Sequence, residues 1–191
     1  LDARFCEQKK DIIITKDWRV KMASVSLTKI IEKMKLENLT PEIEVKGIKI
    51  NQPDINRPAL QMAGYFEHYE ATRLQIIGFV EYTYMEGLSK KRKEEIYEKL
   101  LSYPIPGIIF CRELHPDELF LKKAIEKKVP LLMTKKATSA FTAEIIRWLN
   151  VKLAPCISVH GVLVDVFGEG ILITGESGIG KSEAALELIK R

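Results

Sequence analysis

The sequence has few cysteines, no long apolar run and little net charge. Cys6, Cys111 and Cys156 are odd in number and far apart, which excludes a disulfide framework or a Cys-based metal site and favours a reducing, cytoplasmic compartment. No apolar run approaches the roughly 18 residues of a membrane span, so we expect no membrane association. The formal charge is +4, with 30 basic and 26 acidic residues interspersed, which indicates a mixed-charge surface and no nucleic-acid partner.

The 191 residues are 46% hydrophobic, which is enough for the core of one large domain or two modest ones. Residues 1–21 stand apart because they lack a clear amphipathic period and are followed directly by Met22. Two interpretations of this leader stay open. It is either sequence upstream of a natural start at Met22, or it supplies a short additional strand around residues 12–14.

Apolar periodicity predicts a parallel α/β domain over residues 22–149, because strands that alternate with helices are typical of parallel sheets. The expected helices are 27–34 with Ser26 as N-cap, 89–101, 116–128 with Pro116 in its first turn, and 139–149. The expected strands are 42–50, either continuous or turning at Gly47, then 74–79, 106–111 and 129–134, with a polar loop at 51–58.

The pattern changes near residue 150, and we predict a second domain over residues 150–191. Residues 162–166 and 170–174 are rich in β-formers, and the three residues between them are too few for a helical crossover. The two runs therefore predict an antiparallel hairpin. With its turn centred between Gly168 and Glu169, paired positions sum to about 337, which places His160 opposite Ser177 to within two residues.

The segment after the hairpin matches the phosphate-loop pattern G-x-x-x-x-G-K-[ST]. An apolar strand precedes it and a helical segment, 183–190, follows it, which is the structural context that this pattern requires. The candidate nucleotide-binding residues are Gly175, Glu176, Ser177, Gly178, Ile179, Gly180, Lys181 and Ser182.

The residue types of this loop fit phosphate chemistry. Glycines let several backbone N–H groups point at one anion, and the N-terminus of the next helix adds partial positive charge. Lys181 can reach the terminal phosphates, and the Ser182 hydroxyl can complete a magnesium shell. The alternative is a glycine turn before a helix that happens to carry an exposed lysine.

His160 is a candidate catalytic residue because of its predicted position beside bound phosphate. A neutral imidazole orients an attacking group, and an imidazolium stabilises phosphoryl charge. The alternative is an ordinary structural or surface histidine, which is how His68 and His115 are interpreted. In the first domain, Asp54, Asn56 and Arg57 form either a recognition loop or a hydrogen-bonded structural loop.

Six segments of the sequence closely resemble bacterial HPr kinase/phosphorylase, and the resemblance extends over roughly residues 26–191. They are 54–58, 61–66, 73–78, 158–166, 170–183 and 185–191. The resemblance implies an amino-terminal domain similar to that of Mur ligases. It also implies the beginning of a P-loop kinase domain related to phosphoenolpyruvate carboxykinase. The leader has no counterpart in that family.

The same resemblance implies a homohexameric enzyme that phosphorylates a serine of HPr, the phosphocarrier of the sugar phosphotransferase system, with ATP and Mg²⁺. Pyrophosphate replaces ATP in some members. The reverse reaction uses inorganic phosphate to remove the seryl phosphate, and the output is control of carbon catabolite repression.

Carried over to this sequence, the resemblance makes His160 and Lys181 active-site residues, residues 175–182 the nucleotide site and Ser182 a magnesium ligand. The family's catalytic aspartate belongs to an acidic pair that would follow Arg191, so we expect the 191 residues to be inactive alone. Two other interpretations remain. One is a non-catalytic module that senses nucleotide or builds an oligomer, and the other is an unrelated P-loop ATPase, which the hairpin before the loop disfavours.

Overall fold

The computed structural model describes residues 24–155 and 160–190. These residues form two compact units that divide between Ala154 and Pro155, and each unit is described by itself. The leader at 1–21, with Cys6, and the cysteine at position 156 lie outside the described residues. Within the described ranges, no helix is long and apolar enough to cross a membrane.

The larger unit alternates helices and short strands. Its helices are α1 Leu27–Met34, α2 Ala59–Met62, α3 Phe79–Glu86, α4 Lys90–Leu101, α5 Glu118–Glu126 and α6 Thr138–Leu153. Its strands are β1 Val25–Ser26, β2 Glu37–Asn38, β3 Lys49–Ile50, β4 Ile55–Asn56, β5 Leu74–Ile77, β6 Ile108–Phe110 and β7 Leu131–Met133.

A five-stranded sheet organises this unit, in the order β2-β7-β6-β5-β4. Strands β4 to β7 are parallel, and β2 runs antiparallel to β7 at one edge. Strands β1 and β3 form a separate antiparallel pair. The predicted α/β fold with a parallel sheet is therefore confirmed.

The sheet is buried on both faces, which explains why its strands are continuous apolar runs. Successive residues point to opposite faces, so Ile108 and Phe110 pack with α3, α4 and α5, whereas Ile109 packs with α1 and α6. All three side chains are fully buried. Each contributes about 1.5–3 kcal/mol of hydrophobic stabilisation relative to an exposed side chain.

Helix α1 begins where the sequence predicts, and α4 begins one residue later than predicted. The Ser26 hydroxyl accepts from the Lys29 N–H at the start of α1, and the Ser89 hydroxyl accepts from the Arg92 N–H at the start of α4. Such caps satisfy backbone donors that have no partner inside the helix. Helix α5 is capped by Asp117, so Pro116 precedes the helix and is not in its first turn.

Three strand and loop predictions are wrong. Of the strand expected at 42–50, only Lys49–Ile50 forms, because Gly47 adopts a φ of 97° and its neighbours turn. The polar loop expected at 51–58 contains the edge strand β4. The strand expected to end at Phe79 ends at Ile77, and Phe79 begins a helix that the sequence analysis missed.

Replacing Asp117 with alanine should destabilise the larger unit. The Asp117 carboxylate accepts from the Phe120 N–H at 2.8 Å, from Lys93 Nζ at 2.8 Å and from the Tyr97 hydroxyl at 3.0 Å. Losing the cap and the charged hydrogen bond should lower the free energy of unfolding by about 2 kcal/mol, as measured by urea denaturation. Asp117→Asn keeps a capping oxygen and should cost less.

The control is the pH dependence of the difference in unfolding free energy between the native protein and Asp117→Asn. Burial alone would raise the pKa of Asp117, but the hydrogen bonds from Lys93, Phe120 and Tyr97 outweigh it and leave the pKa lowered. A carboxyl whose pKa is lowered by folding contributes stability above its unfolded pKa, and that stability is lost as pH falls through the folded value. The gap between the native protein and Asp117→Asn should therefore narrow below about pH 4. A stability difference that stays constant with pH would contradict the lowered pKa of Asp117.

The smaller unit contains a hairpin and a helix. Strand β8 is Gly161–Val166, β9 is Glu169–Thr174 and α7 is Lys181–Lys190. The two strands pair antiparallel along their whole length, which confirms the predicted hairpin.

The hairpin turn lies one residue earlier than predicted. Its two residues are Phe167 and Gly168, with φ of 56° and 85°, and both positive values are those that a type I′ turn requires. The Asp165 carboxylate accepts from the Gly168 N–H at 2.9 Å and so stabilises the turn. Paired positions consequently sum to 335, as in Gly161 with Thr174.

Candidate phosphate site and family

The candidate site is the loop that joins β9 to α7. Strand β9 ends at Thr174 and α7 begins at Lys181, so residues 175–180 connect a strand to a helix directly. Gly178 and Gly180 adopt φ of 84° and 90°, which is a conformation that other residues rarely adopt. The loop therefore depends on glycine at the two positions where the backbone reverses before the helix.

Lys181 is the first residue of α7 and folds back over the loop. Its ammonium group donates to the carbonyl oxygens of Gly175 at 2.9 Å and Glu176 at 2.6 Å. These bonds hold the positive charge at the beginning of the loop, although Lys181 itself follows the last residue of the loop. A cation held in this way can exchange carbonyl oxygens for phosphate oxygens with little movement of the backbone.

The start of α7 adds further donors for an anion. The first intrahelical bond runs from the Ala184 N–H to the Gly180 carbonyl at 3.0 Å, so the N–H groups before Ala184 have no such partner. Together with the helix dipole, these groups favour negative charge at the loop. The Ser182 hydroxyl lies in this first turn and is exposed.

The possible metal ligands near the loop can be compared with the coordination that magnesium requires. Ser182 offers one hydroxyl oxygen, and no group of three His, Cys, Asp or Glu side chains that could hold a metal occurs among residues 24–155 and 160–190. Magnesium commonly takes few protein ligands and completes its shell with water and substrate phosphates. The described residues therefore fit a magnesium ion that would be carried by the nucleotide, and do not fit a permanent metal centre.

His160 lies at the same end of the hairpin as the loop. Gly161 pairs with Thr174, so His160 is one position beyond the last pair, beside Gly175 in the extended register. The sequence analysis expected it opposite Ser177 to within two residues, and the corrected turn accounts for the difference. His160 is exposed. Its catalytic role stays a prediction, as do the nucleotide contacts of Glu176, Ser177 and Ile179.

The larger unit has a concave feature that the sequence analysis identified only through Arg57. An open cavity of about 500 Å³ is lined by Arg57, Phe79, Val80, Arg112, Thr138, Ser139, Thr142 and Ala143. The first of these residues follow the carboxyl ends of β4, β5 and β6, and the last four belong to α6, which begins shortly after β7. The sequence signal was available only for Arg112, which directly follows a predicted buried strand, because polar residues after parallel strands gather at one edge of the sheet.

The other two members of the suspected recognition loop have structural partners. The Asn56 amide donates to Gln75 Oε1 at 2.7 Å, and an Asp54 carboxylate oxygen lies 4.0 Å from Arg73 Nη2. These contacts fix the edge strand β4 to the neighbouring strand. They favour the structural alternative for Asp54 and Asn56.

Comparison with known proteins identifies the family. Residues 25–149 match the family described as HPr Serine kinase N terminus, and residues 151–191 match the HPr Serine kinase C-terminal domain. Among solved structures, the CBS and DRTGG domains of the regulatory region of Clostridium perfringens pyrophosphatase align over 68% of this chain and 50% of that one. Their 12% identity and TM-score of 0.45 are too low to support an inference.

Curated relatives are much more similar in sequence. HPr kinase/phosphorylase of Lachnoclostridium phytofermentans is 59% identical over 89% of this chain and 55% of that protein. The proteins of the same name from Alkaliphilus metalliredigens and Streptococcus pneumoniae are 42% and 41% identical over 89% of this chain, and 55% and 54% of their own lengths. The chain thus spans about half the length of the curated relatives it matches. By these matches, the chain belongs to the HPr kinase/phosphorylase family.

Proposed function

We propose that this chain is part of an enzyme that phosphorylates a serine of HPr with ATP or pyrophosphate and removes that phosphate by phosphorolysis. The observation that carries the proposal is the strand–loop–helix arrangement at residues 169–190, with the Lys181 ammonium held on the loop carbonyls. The family membership supplies the substrate, because the relatives are named for it.

The chemistry that this proposal requires is an in-line transfer. The seryl oxygen of HPr attacks the terminal phosphorus, the bond to the bridging oxygen breaks, and the seryl proton passes to a base. Loop N–H groups and Lys181 stabilise charge on the transferred group, His160 contacts it from the hairpin end, and Ser182 would hold magnesium. Magnesium, when bound, would neutralise negative charge on the phosphates.

The base is not among these residues in our proposal. Asp165 is engaged in the hairpin turn through Gly168. The resemblance places the catalytic aspartate after α7, so we propose that the 191 residues alone bind nucleotide without transferring phosphate. We propose domains at 22–149 and 150–191, and the family matches to 25–149 and 151–191 support this division.

The remaining features of the proposal come from the family resemblance. They are a Mur-ligase-like first domain, a carboxykinase-like P-loop core, a homohexamer, a cytoplasmic location and a role in carbon catabolite repression. The parallel sheet of the larger unit and the hairpin before the loop are consistent with the two domain folds.

The function is tested with these residues extended to the length of the relatives. We expect it to transfer ³²P from ATP to HPr, and to release pyrophosphate from seryl-phosphorylated HPr when orthophosphate is added. The 191-residue chain should bind ATP calorimetrically and transfer none. Binding of ATP by the extended protein without transfer in either direction would instead indicate a nucleotide-sensing module.

A further inference from the structure

The cavity in the larger unit carries an inference that is independent of the glycine loop. We infer that this cavity binds a small phosphorylated molecule, with the phosphate between Arg57 and Arg112 and the rest of the ligand against Phe79 and Val80.

The first argument is the pair of guanidinium groups. Arg57 and Arg112 come from loops after two different strands, and both line the cavity. Arg112 is exposed, and its guanidinium has no hydrogen-bond or ion-pair partner among residues 24–155 and 160–190. Two planar, permanently charged groups on one cavity favour a phosphate, which accepts paired hydrogen bonds from each.

Arg57 is held in position by a buried carboxylate. Its Nη2 atom lies 2.7 Å from Glu81 Oε1 and 2.9 Å from Glu81 Oε2, and the Glu81 side chain is only 2% exposed. Glu81 also accepts from the Gly78 N–H at 3.0 Å. Since a guanidinium has five donors, the bond to Glu81 fixes its orientation and leaves other N–H groups for a ligand. The side chain of Arg57 is 46% exposed, so those groups are accessible.

Arg112 lies in a loop whose backbone has an uncommon conformation. Arg112 and Glu113 adopt φ of 61° and 58°, which is uncommon for residues with side chains. Their N–H groups donate to the carbonyls of Lys136 and Thr134, at 3.0 and 2.9 Å, and these bonds tie the loop after β6 to the loop after β7. The conformation is thus maintained by neighbouring strands of the sheet.

Two helix starts meet at this cavity. A Cβ placed on Gly78 would lie 2.8 Å from the Thr138 hydroxyl oxygen, so α3 and α6 begin in close contact. Helix α6 has no side-chain N-cap hydrogen bond, whereas α1, α4 and α5 have one, and at α3 the Glu81 carboxylate accepts from the Gly78 N–H. The dipole of α6 adds to the positive potential that Arg112 establishes.

None of the residues that line the cavity is acidic, so the only carboxylate paired with a lining arginine in the described part of the chain is Glu81, which holds Arg57 and leaves Arg112 unpaired. The nearby thiol is neutral. Cys111 is fully buried, and burial raises its pKa to about 11 despite the hydrogen bond from Thr138 and the nearby arginines. Phe79 and Val80 are 57% and 67% exposed and give the cavity an apolar wall. A volume of about 500 Å³ lies within the range of small-ligand sites and exceeds what one phosphate fills.

The test uses the 191-residue chain carrying Lys181→Ala, which should weaken phosphate binding at the glycine loop. Inorganic phosphate and AMP are titrated separately into ¹⁵N-labelled protein. We expect the backbone amides of Phe79, Val80, Arg112 and Ser139 to shift with millimolar phosphate, and AMP to bind more tightly than phosphate. Adenosine, which lacks the phosphate, should not shift them.

Arg112→Gln and Arg147→Gln form a matched pair for this titration. Arg147 is also exposed and without a partner in the described part of the chain, and it lies on α6 about 13 Å along the axis from Thr138. Arg112→Gln should weaken phosphate binding about tenfold, and Arg147→Gln should leave it unchanged. Equal effects of the two variants, or no amide shift at the cavity with phosphate, would overturn the inference. AMP that binds no better than phosphate would overturn the apolar part of the site.

Discussion

Replacing Lys181 with alanine in the protein extended to the length of its relatives is expected to abolish phosphorylation of HPr. The Lys181 ammonium is the positive charge that the structure holds on the loop, through the carbonyl oxygens of Gly175 and Glu176. Removal of one pre-positioned stabilising group typically lowers a transfer rate by a factor on the order of 10²–10³. We expect the upper end of that range, because a full positive charge is lost next to the phosphates.

The effect should extend to the reverse reaction and to binding. Phosphorolysis is the reverse of the pyrophosphate-dependent transfer, so these two reactions share one transition state and their rates should fall by the same factor. Affinity for ATP should fall as well, because in the proposed site Lys181 contacts the phosphates before transfer. Single-turnover ³²P transfer measures the first quantity, and calorimetry measures the second.

A control for this substitution is available on the same helix. Lys190 is exposed at the carboxyl end of α7, nine residues from Lys181, so Lys190→Ala removes the same charge from the same element. Its transfer rate and ATP affinity should match the native protein. If both variants lost activity equally, helix stability would explain the loss; if Lys181→Ala retained activity, the proposed role of Lys181 would be wrong.

The parts of the fold that could be predicted from the sequence are those determined by neighbouring residues. The caps Ser26 and Ser89 mark the starts of α1 and α4 because a cap bonds to a backbone group only three residues away. The buried strands β6 and β7 are recognisable because both of their faces are apolar. The hairpin follows from its short connection, which leaves no other pairing.

The parts that could not be predicted depend on distant partners. Strand β4 has two residues and pairs with β5, which lies about twenty residues further along the chain. Residues 42–48 alternate like a strand but find no partner strand, and a turn at Gly47 replaces the expected pairing. Periodicity indicates which face of an element is apolar. It does not determine whether a neighbouring strand is available to pair with that element.

The two candidate sites also differ in whether their residues are neighbours in the sequence. The glycine loop is continuous in sequence, so its pattern and its flanking elements could be identified before the structure. The cavity of the larger unit combines Arg57 and Arg112, which are separated by more than fifty residues, with the start of α6. Only the parallel order of β4, β5, β6 and β7 brings these residues to one edge.

His160 provides the second prediction with a large effect, again in the extended protein. His160→Ala should slow transfer in both directions by a factor on the order of 10², which is typical when a group that assists proton transfer or stabilises charge is removed. The hairpin register places His160 beside Gly175, the first residue of the candidate loop. In the proposed site it contacts the transferred group and not the body of the nucleotide. Affinity for ATP should therefore change far less than the rate, which distinguishes His160 from Lys181.

The comparison with His115 distinguishes catalysis from a general loss of a surface imidazole. His115 is exposed and belongs to the larger unit, so His115→Ala removes an equivalent side chain that is not part of the hairpin or the loop, and it should leave both rates unchanged. Equal loss in the two directions is expected with pyrophosphate as donor, because phosphorolysis is the reverse of that reaction and both pass through one transition state. Damage to HPr docking would instead appear as a higher KM with an unaffected single-turnover rate at saturation. Native rates for His160→Ala would make this residue an ordinary surface histidine, and the hairpin would then serve only to position the loop.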